Sequence, residues 1–251
     1  MLKPPAFLQQ VNHRPWPLPQ SPWIMHQRWC DLLFAHWPVP VESLLPLLPA
    51  GLELDTYEGQ AWIAVVPFRM ENVKPRFAPA VPWLSAFPEL NVRTYVRKGD
   101  KAGVWFVSLD AANPVAVEIA RSVYRLPYFN ARMSLQNEGR DWIRYQSQRT
   151  DLRAQTAALK AIYRPVGREY LSRKGTLEHW LTERYCLYTS DAAGQIYCGE
   201  IHHAPWSLQK AEAQFDLNTM TLPIGLKLSH EATLLHFVRK IDVVAWQIVK
   251  V

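Results

Sequence analysis

The sequence predicts one mainly β domain with a few short helices. Eleven Trp, ten Tyr and nine Phe residues make the chain rich in aromatic side chains, which favour strands. Several segments alternate apolar and polar residues and are separated by turn sequences such as Glu58-Gly59, a pattern typical of β-hairpins. With 251 residues and 49% hydrophobic content, the chain can bury a sizeable core.

Residues 1–22 are predicted to form a proline-rich N-terminal arm, and residues 23–251 a single domain. Six prolines interrupt the arm, at positions 4, 5, 15, 17, 19 and 22. Each removes a backbone donor and favours extended neighbours, so the arm lacks the continuous apolar segment of a signal peptide. No apolar run elsewhere approaches the roughly 18 to 20 residues that cross a bilayer. We therefore expect a cytoplasmic protein without a membrane partner.

Charge and motifs argue against several classes of function. The net charge is +6, but the basic residues are scattered, which argues against a nucleic-acid partner. The three cysteines never form a C-x-x-C pair, and no phosphate-binding glycine loop or G-x-S-x-G sequence occurs. His202 and His203 are neighbours on a predicted strand, so they point to opposite faces. We expect neither a metal site nor a cofactor.

Alternation and turn residues predict strands along the whole chain. In order, they cover 24–36, 52–57, 61–68, 90–96, 104–109, 128–136, 141–148, 152–164, 185–189, 195–202, 211–217 and 236–249. Segment 152–164 is ambiguous because its alanines also favour a helix. We expect 52–57 to form a hairpin with 61–68, and 90–96 to form one with 104–109.

Three short helices are predicted between these strands. The first covers 41–48, where Pro46 limits its length. The second begins at Pro114, is capped by Asn113 and stops at Leu126-Pro127. It is expected to be buried through one apolar face, formed by Val115, Ile119 and Val123. The third follows Thr176 and ends near Arg184.

The proline-rich segment 70–87 is predicted to be a structured loop. It is long enough to cover the mouth of a cavity. A packed surface loop is an equally good interpretation, because long ordered loops are not always functional.

Polar residues on the strands of the central hairpin are the candidate site. Asn91, Arg93 and Tyr95 share one face of their strand, and Ser108 and Asp110 share a face of the partner strand. If these faces line an interior, they supply hydrogen-bond donors, one fixed positive charge and one carboxylate, which suits a small anionic ligand. From alternation alone, the opposite arrangement is slightly favoured, with these faces toward solvent.

Segments along nearly the whole chain resemble the uncharacterised YqjF-like family. They are WIMHQRWCDLLFAHW (23–37), PAGLELDTYEGQAWIAVVPF, ELNVRTYV, GVWFVSLDA, PYFNARM, LTERYCLY, IHHAPW and LLHFVRKIDVVAW. That family is placed in the acetoacetate decarboxylase-like superfamily. The resemblance therefore implies a closed antiparallel β cone or barrel with helices packed around it.

The same resemblance argues against the superfamily's best-known chemistry. In the decarboxylase, a lysine forms a Schiff base with a keto acid, and a second lysine lowers its pKa. The similar segment here places Tyr128 and Phe129 at the lysine positions, and Asn91 at the position of a strand glutamate. Tyrosine cannot form an imine, phenylalanine is inert, and an amide cannot accept a proton as a carboxylate does.

Two functions remain open from the sequence. The first is a binding protein for a small, anionic molecule. Its predicted contacts are Asn91, Arg93, Tyr95, Trp105, Ser108, Tyr128 and Asn130. The alternative is an enzyme of unknown reaction on a keto- or carboxylate-bearing substrate, with Tyr128 as its acid or base. The sequence is also compatible with a homo-oligomer.

Overall fold

A large, mainly antiparallel sheet dominates the computed structural model, which describes residues 6–81 and 83–251. Its strands are β1 (Met25–Val39), β2 (Glu53–Leu54), β3 (Ala61–Pro75), β4 (Phe87–Lys98), β5 (Lys101–Ala111), β6 (Tyr128–Gly139), β7 (Trp142–Arg149), β8 (Ala158–Tyr170), β9 (Cys186–Ser190), β10 (Ile196–His202), β11 (Leu208–Asn218), β12 (Leu234–Ala245) and β13 (Val249–Lys250). The described residues also form α1 (Pro114–Tyr124), α2 (Leu177–Thr182) and short 3-10 turns. The predicted mainly β fold is confirmed.

The sheet closes on itself in two ways. One closed path, which we name the core ring, runs β5-β6-β7-β8-β11-β12-β1-β3-β4 and returns to β5. A second path, the cavity ring, runs β5-β9-β10-β12-β1-β3-β4 and also returns to β5. Both paths are possible because β5 pairs in parallel with β9 near its start and with β6 near its end. Strands β12, β1, β3, β4 and β5 belong to both rings.

The shared strands bury both of their faces. On β3, Ile63 and Val65 pack in the apolar cluster inside the core ring, whereas Ala64 and Val66 pack in a second cluster. Neighbouring residues on a strand point to opposite faces, so a strand between two interiors must be apolar at successive positions. This explains the run AWIAVVPF, which does not alternate.

The predicted hairpin between 52–57 and 61–68 is reduced to one antiparallel bridge, between Tyr57 and Gln60 around the predicted Glu58-Gly59 turn. β2 is reduced to Glu53–Leu54 and pairs with Arg97 and Val96 of β4. β3 is already paired with β1 on one edge and β4 on the other, so it has no edge left for β2.

The loop predicted at 70–87 is also shorter than expected. β3 continues to Pro75 because the long β1 provides partners for it, including Trp29 opposite Met70 and Met25 opposite Pro75. β4 begins at Phe87 rather than Leu90. The connection is therefore 76–86, of which residue 82 lies outside the described residues.

The helical predictions are partly confirmed. Residues 41–48 form two 3-10 turns, Val41–Ser43 and Leu45–Leu47, because Pro46 cannot continue an α-helix. The Asn113 side chain accepts hydrogen bonds from the next turn's backbone and caps α1 as predicted, and Thr176 caps α2. The ambiguous segment 152–164 contributes to β8 from Ala158 onward.

The predicted buried face of α1 is wrong. Val115, Ile119 and Val123 are 46%, 48% and 52% exposed. The helix packs through a different stripe that includes Ala116, fully buried Val117 and Ala120. Val115 and Val123 lie on the outer side of the helix, and Ile119 lies at the edge of its buried stripe.

The described part of the N-terminal arm lies against β10. Arg14 donates to the Ile201 carbonyl at 2.7 Å and to the Glu200 carboxylate at 2.9 Å, and the Trp16 indole donates to the same carboxylate. Residues 1–5 of the predicted arm lie outside the described residues. Within 6–81 and 83–251, no helix has the length and apolar character needed to span a bilayer.

Candidate functional site

A cavity of about 250 Å³ lies within the cavity ring, with α1 along one side. Its wall is largely apolar and aromatic, including Trp29, Phe68, Phe106, Leu109 and Trp206. Ile119 of α1 and Leu84 of the 76–86 loop also line it. Cavities of this kind bind small molecules through apolar contact and use a few polar groups to orient them.

The main polar groups of the cavity come from one face of β4. Glu89, Asn91 and Arg93 all line it, because alternate residues of a strand share a face. Each is at most 7% exposed. Tyr128 of β6 and Arg184, which follows α2, add a hydroxyl and a second guanidinium.

Glu89 is held at only one of its two oxygens. The Tyr128 hydroxyl donates to Oε1 at 3.0 Å, while Oε2 has no hydrogen-bond partner among the described residues. Burial raises the pKa of Glu89 to about 8, although the Tyr128 hydrogen bond opposes that shift. The side chain is therefore mostly a neutral carboxylic acid at pH 7.

Tyr128 is a hydrogen-bond donor at this site. Burial, and next the neighbouring Glu89, raise the pKa of Tyr128 well above its ordinary value. It stays protonated across the neutral range. Glu89, whose pKa is raised to about 8, is a second candidate for proton transfer beside the predicted Tyr128.

Arg93 brings a buried positive charge to the cavity wall. Its Nη2 donates to the Leu181 carbonyl at 3.2 Å, and Nε has no partner among the described residues. The rings of Phe34 and Tyr95 lie 5.0 and 5.8 Å from the guanidinium carbon. No ion pair within the described ranges includes Arg93, so its charge is offset by ring faces and one carbonyl.

Arg184 differs because its charge is paired. Its Nη1 lies 2.7 Å from Asp55 Oδ2, and its Nε donates to the Trp180 carbonyl at 2.7 Å. Arg184 and Asp55 therefore form a largely buried ion pair.

Only some predicted site residues meet at this cavity. Asn91, Arg93 and Tyr128 line it, whereas Tyr95, Trp105, Ser108 and Asn130 do not. Tyr95 is fully buried, and its hydroxyl lies 2.8 Å from His36 Nε2. The Asn130 side chain donates to Asp151 at 3.2 Å instead.

A β-bulge separates Ser108 from the cavity. Ser108 lies opposite Val92, and Phe106 lies opposite Arg93, so Val107 is an extra residue in the ladder. It reverses the faces of β5 beyond this point and turns Ser108 and Asp110 away from the Arg93 face. Asp110 pairs with Arg149, not with Arg93, at 2.7 Å.

Glu89, Lys74 and Arg184 of the cavity wall were absent from the predicted site. Glu89 has the same alternation as Asn91 and Arg93, but the predicted strand began at Leu90, just after it. Lys74 lines the cavity because β3 extends to Pro75, beyond the predicted strand end. Glu89 and Lys74 could have been found only by placing the strand ends correctly.

The described residues contain no group of three His, Cys, Asp or Glu side chains arranged to hold a metal ion. His202 and His203 are both fully buried. Their ring nitrogens lie 3.0 Å from the Phe7 carbonyl and 2.7 Å from the Ala204 carbonyl.

Comparisons with known proteins cover nearly all of the chain. The profile of the DUF2071 family, described as an uncharacterized conserved protein, matches residues 26–242. The uncharacterized protein YqjF of Bacillus subtilis (strain 168) is 47% identical over 233 residues, which are 93% of this chain and 95% of that protein.

Solved structures show the same fold at low sequence identity. Acetoacetate decarboxylase from Legionella pneumophila matches with a TM-score of 0.64 and 14% identity, over 100% of this chain and 98% of that one. The enduracididine biosynthesis enzyme MppR, complexed with pyruvate, matches with a TM-score of 0.62 and 11% identity, over 92% and 91% of the two chains. The predicted acetoacetate decarboxylase-like fold is confirmed.

Proposed function

The chain belongs to the DUF2071 family of uncharacterized conserved proteins, and we propose that it binds a small, largely apolar carboxylate in the cavity ring. The ligand's apolar part contacts the aromatic wall. Its carboxylate lies at Arg93. The cavity of about 250 Å³ sets the size of the ligand at a few carbon atoms beyond the carboxylate.

The observation that carries this proposal is the charge of Arg93. A guanidinium that is 7% exposed has lost most of its hydration, and burying a charge without a counter-ion is costly. Arg184, on the same wall, has Asp55 as its partner, whereas Arg93 has no carboxylate partner among the described residues. A bound carboxylate would be the counter-ion of Arg93 and would accept two parallel hydrogen bonds from its guanidinium. MppR, which shares the fold, holds pyruvate, itself a small carboxylate.

Arg93→Gln is expected to abolish the preference of the protein for carboxylates. In wild type, hexanoate should bind at least about tenfold more tightly than hexanamide, because only the carboxylate pairs with the guanidinium. In Arg93→Gln the two ligands should bind about equally. Isothermal titration calorimetry with both ligands measures the ratio.

The matched control is Arg97→Gln, on the same strand, where the side chain is exposed and pairs with Glu53. It should keep the wild-type ratio. Equal affinities in wild type, or a carboxylate preference that survives in Arg93→Gln, would contradict the proposal.

The ligand is held without a covalent bond in this proposal. Tyr128 and Phe129, at the positions where the resemblance implies lysines, cannot form an imine. Lys74 is the lysine on the cavity wall within the described residues. Borohydride treatment with 2-oxohexanoate should give no adduct by mass spectrometry of the digested protein. An adduct on Lys74 that hexanoate suppresses would show imine chemistry in the cavity.

A further inference from the structure

We propose that Glu89 is a catalytic residue that moves a proton to and from C3 of a bound 2-oxo acid, giving keto–enol interconversion without a lysine. The inference rests on the proposed function, since Arg93 must hold the ligand's carboxylate. Water is the only co-reactant. In this proposal the carboxyl group of Glu89 is the group that carries the proton.

The order of polar groups along β4 matches the order of atoms in a 2-oxo acid. Glu89, Asn91 and Arg93 follow each other on one face, at intervals of roughly 7 Å between Cβ atoms. In a 2-oxo acid, C3, the carbonyl and the carboxylate also follow each other. The spacing along the strand is larger than that of the ligand atoms, so the proposal has the Glu89 and Arg93 side chains extend toward Asn91. The carboxylate then lies at Arg93, the carbonyl oxygen at the Asn91 amide and C3 at Glu89.

The hydrogen bonds of Glu89 leave it free for this role. Tyr128 fixes Oε1, so the carboxyl group has a defined orientation, while Oε2 is buried in the cavity wall without a partner among the described residues. The side-chain oxygen of Asn91 is likewise without a partner. The amide nitrogen has two N–H groups: one lowers the pKa of Glu89 by hydrogen bonding, and the other is the donor for a ligand carbonyl.

The reaction balances with the groups present. Ionised Glu89 takes the C3 proton on Oε2, and the C–H electron pair becomes the C2–C3 double bond. The carbonyl π electrons move to the oxygen, where the Asn91 N–H stabilises the enolate. Glu89 then returns a proton to C3, or water protonates the enolate oxygen to give the enol, and the hydroxide left behind takes the proton from Glu89 and becomes water again. Exchange of the carboxyl proton with water lets solvent hydrogen enter C3.

The groups around Glu89 determine how the rate of C3 proton exchange depends on pH. Tyr128 of β6 donates to the Glu89 carboxyl group, and Tyr145 of β7 donates to the Glu89 backbone carbonyl. Both are neutral, since burial raises the pKa of each well above its ordinary value. The charged groups on the cavity wall are Lys74, Arg93 and Arg184. The ionised form of Glu89, which is the base, therefore accumulates as the pH rises through about 8. The rate of C3 proton exchange should rise with it and level off at higher pH.

Proton NMR of 2-oxohexanoate in deuterium oxide tests the inference by following loss of the C3 proton signal. Wild type should accelerate this loss, with kcat/KM rising to a plateau above about pH 8. Glu89→Gln should lose about a hundredfold or more of the enzyme-dependent rate. Tyr128→Phe should lower the rate and move the midpoint to higher pH, because the hydroxyl orients Glu89 and stabilises its ionised form. Arg97→Gln should behave as wild type.

Calorimetry with 2-oxohexanoate on the same samples separates the two proposals. If wild type binds it but does not accelerate exchange, or Glu89→Gln exchanges as fast as wild type, the catalytic role is overturned and the binding proposal stands. If the ligand binds no better than hexanamide, both are overturned. Retained hexanoate binding by Glu89→Gln shows that this variant is folded.

Discussion

Replacing Arg149 with methionine is expected to lower the free energy of unfolding by about 3–5 kcal/mol at pH 7, because it leaves a buried carboxylate unpaired. Two guanidinium nitrogens of Arg149 donate to Asp110, at 2.7 and 3.0 Å, inside the core ring. The side chains are 2% and 0% exposed. Urea unfolding followed by circular dichroism measures the loss.

The pH dependence of this loss identifies its cause. Burial raises the pKa of Asp110 to about 6 even though Arg149 opposes the shift. Without Arg149 the pKa rises further, so the carboxyl group protonates more readily and the loss should be smaller at pH 5 than at pH 7.

Two further variants control this prediction. Adding Asp110→Asn to Arg149→Met should recover part of the stability at pH 7, since the unpaired charge is removed. Arg132→Met, on the exposed side of β6, should change stability little. A loss in Arg149→Met that is independent of pH and unaffected by Asp110→Asn would point to lost packing instead.

Glu89→Gln is expected to stabilise the protein at alkaline pH and to leave it almost unchanged near pH 4.5. The folded protein holds Glu89 at a pKa of about 8, against an ordinary value of 4.5. Between these values the folded state binds more protons than the unfolded state, so wild-type stability falls as the pH rises. The variant lacks this loss, and its advantage should reach the order of 4 kcal/mol above pH 8.

Thermal and urea unfolding of both proteins between pH 4.5 and pH 9 measures this difference. Glu231→Gln, at an exposed position, is the control and should follow wild type throughout. If the two curves for wild type and Glu89→Gln stay parallel, Glu89 does not titrate differently in the folded state, and its role as a base near neutral pH loses its physical basis.

Local pattern predicted the strands well and their partners less well. Alternation depends on neighbouring residues, and it located most strands, as well as the Asn113 cap with Pro114 behind it. The partner of β2 depends on which strands still have an unpaired edge. A local sequence pattern carries no information about this. The same holds for β5, whose one edge is divided between β9 and β6.

The candidate site was predicted in part for the same reason. Asn91 and Arg93 both lie on the face of β4 that lines the cavity, as predicted, because β4 is regular there. Ser108 was assigned to that cavity on the assumption that β5 is regular too, but the bulge at Val107 reverses its faces. On α1, the helical period placed Val115, Ile119 and Val123 together correctly, yet only the surrounding sheet decides which stripe of a helix is buried.

The strands that the two rings share also determine how the molecule can open. Neither ring can separate along β12, β1, β3, β4 or β5 without breaking the other, so we expect the core and the cavity wall to unfold together. We therefore expect the amides of these strands to exchange with solvent only on global unfolding. Of the residues that line the cavity, Leu84 of the 76–86 loop and Ala116 and Ile119 of α1 belong to neither ring, so substitutions there leave both rings paired.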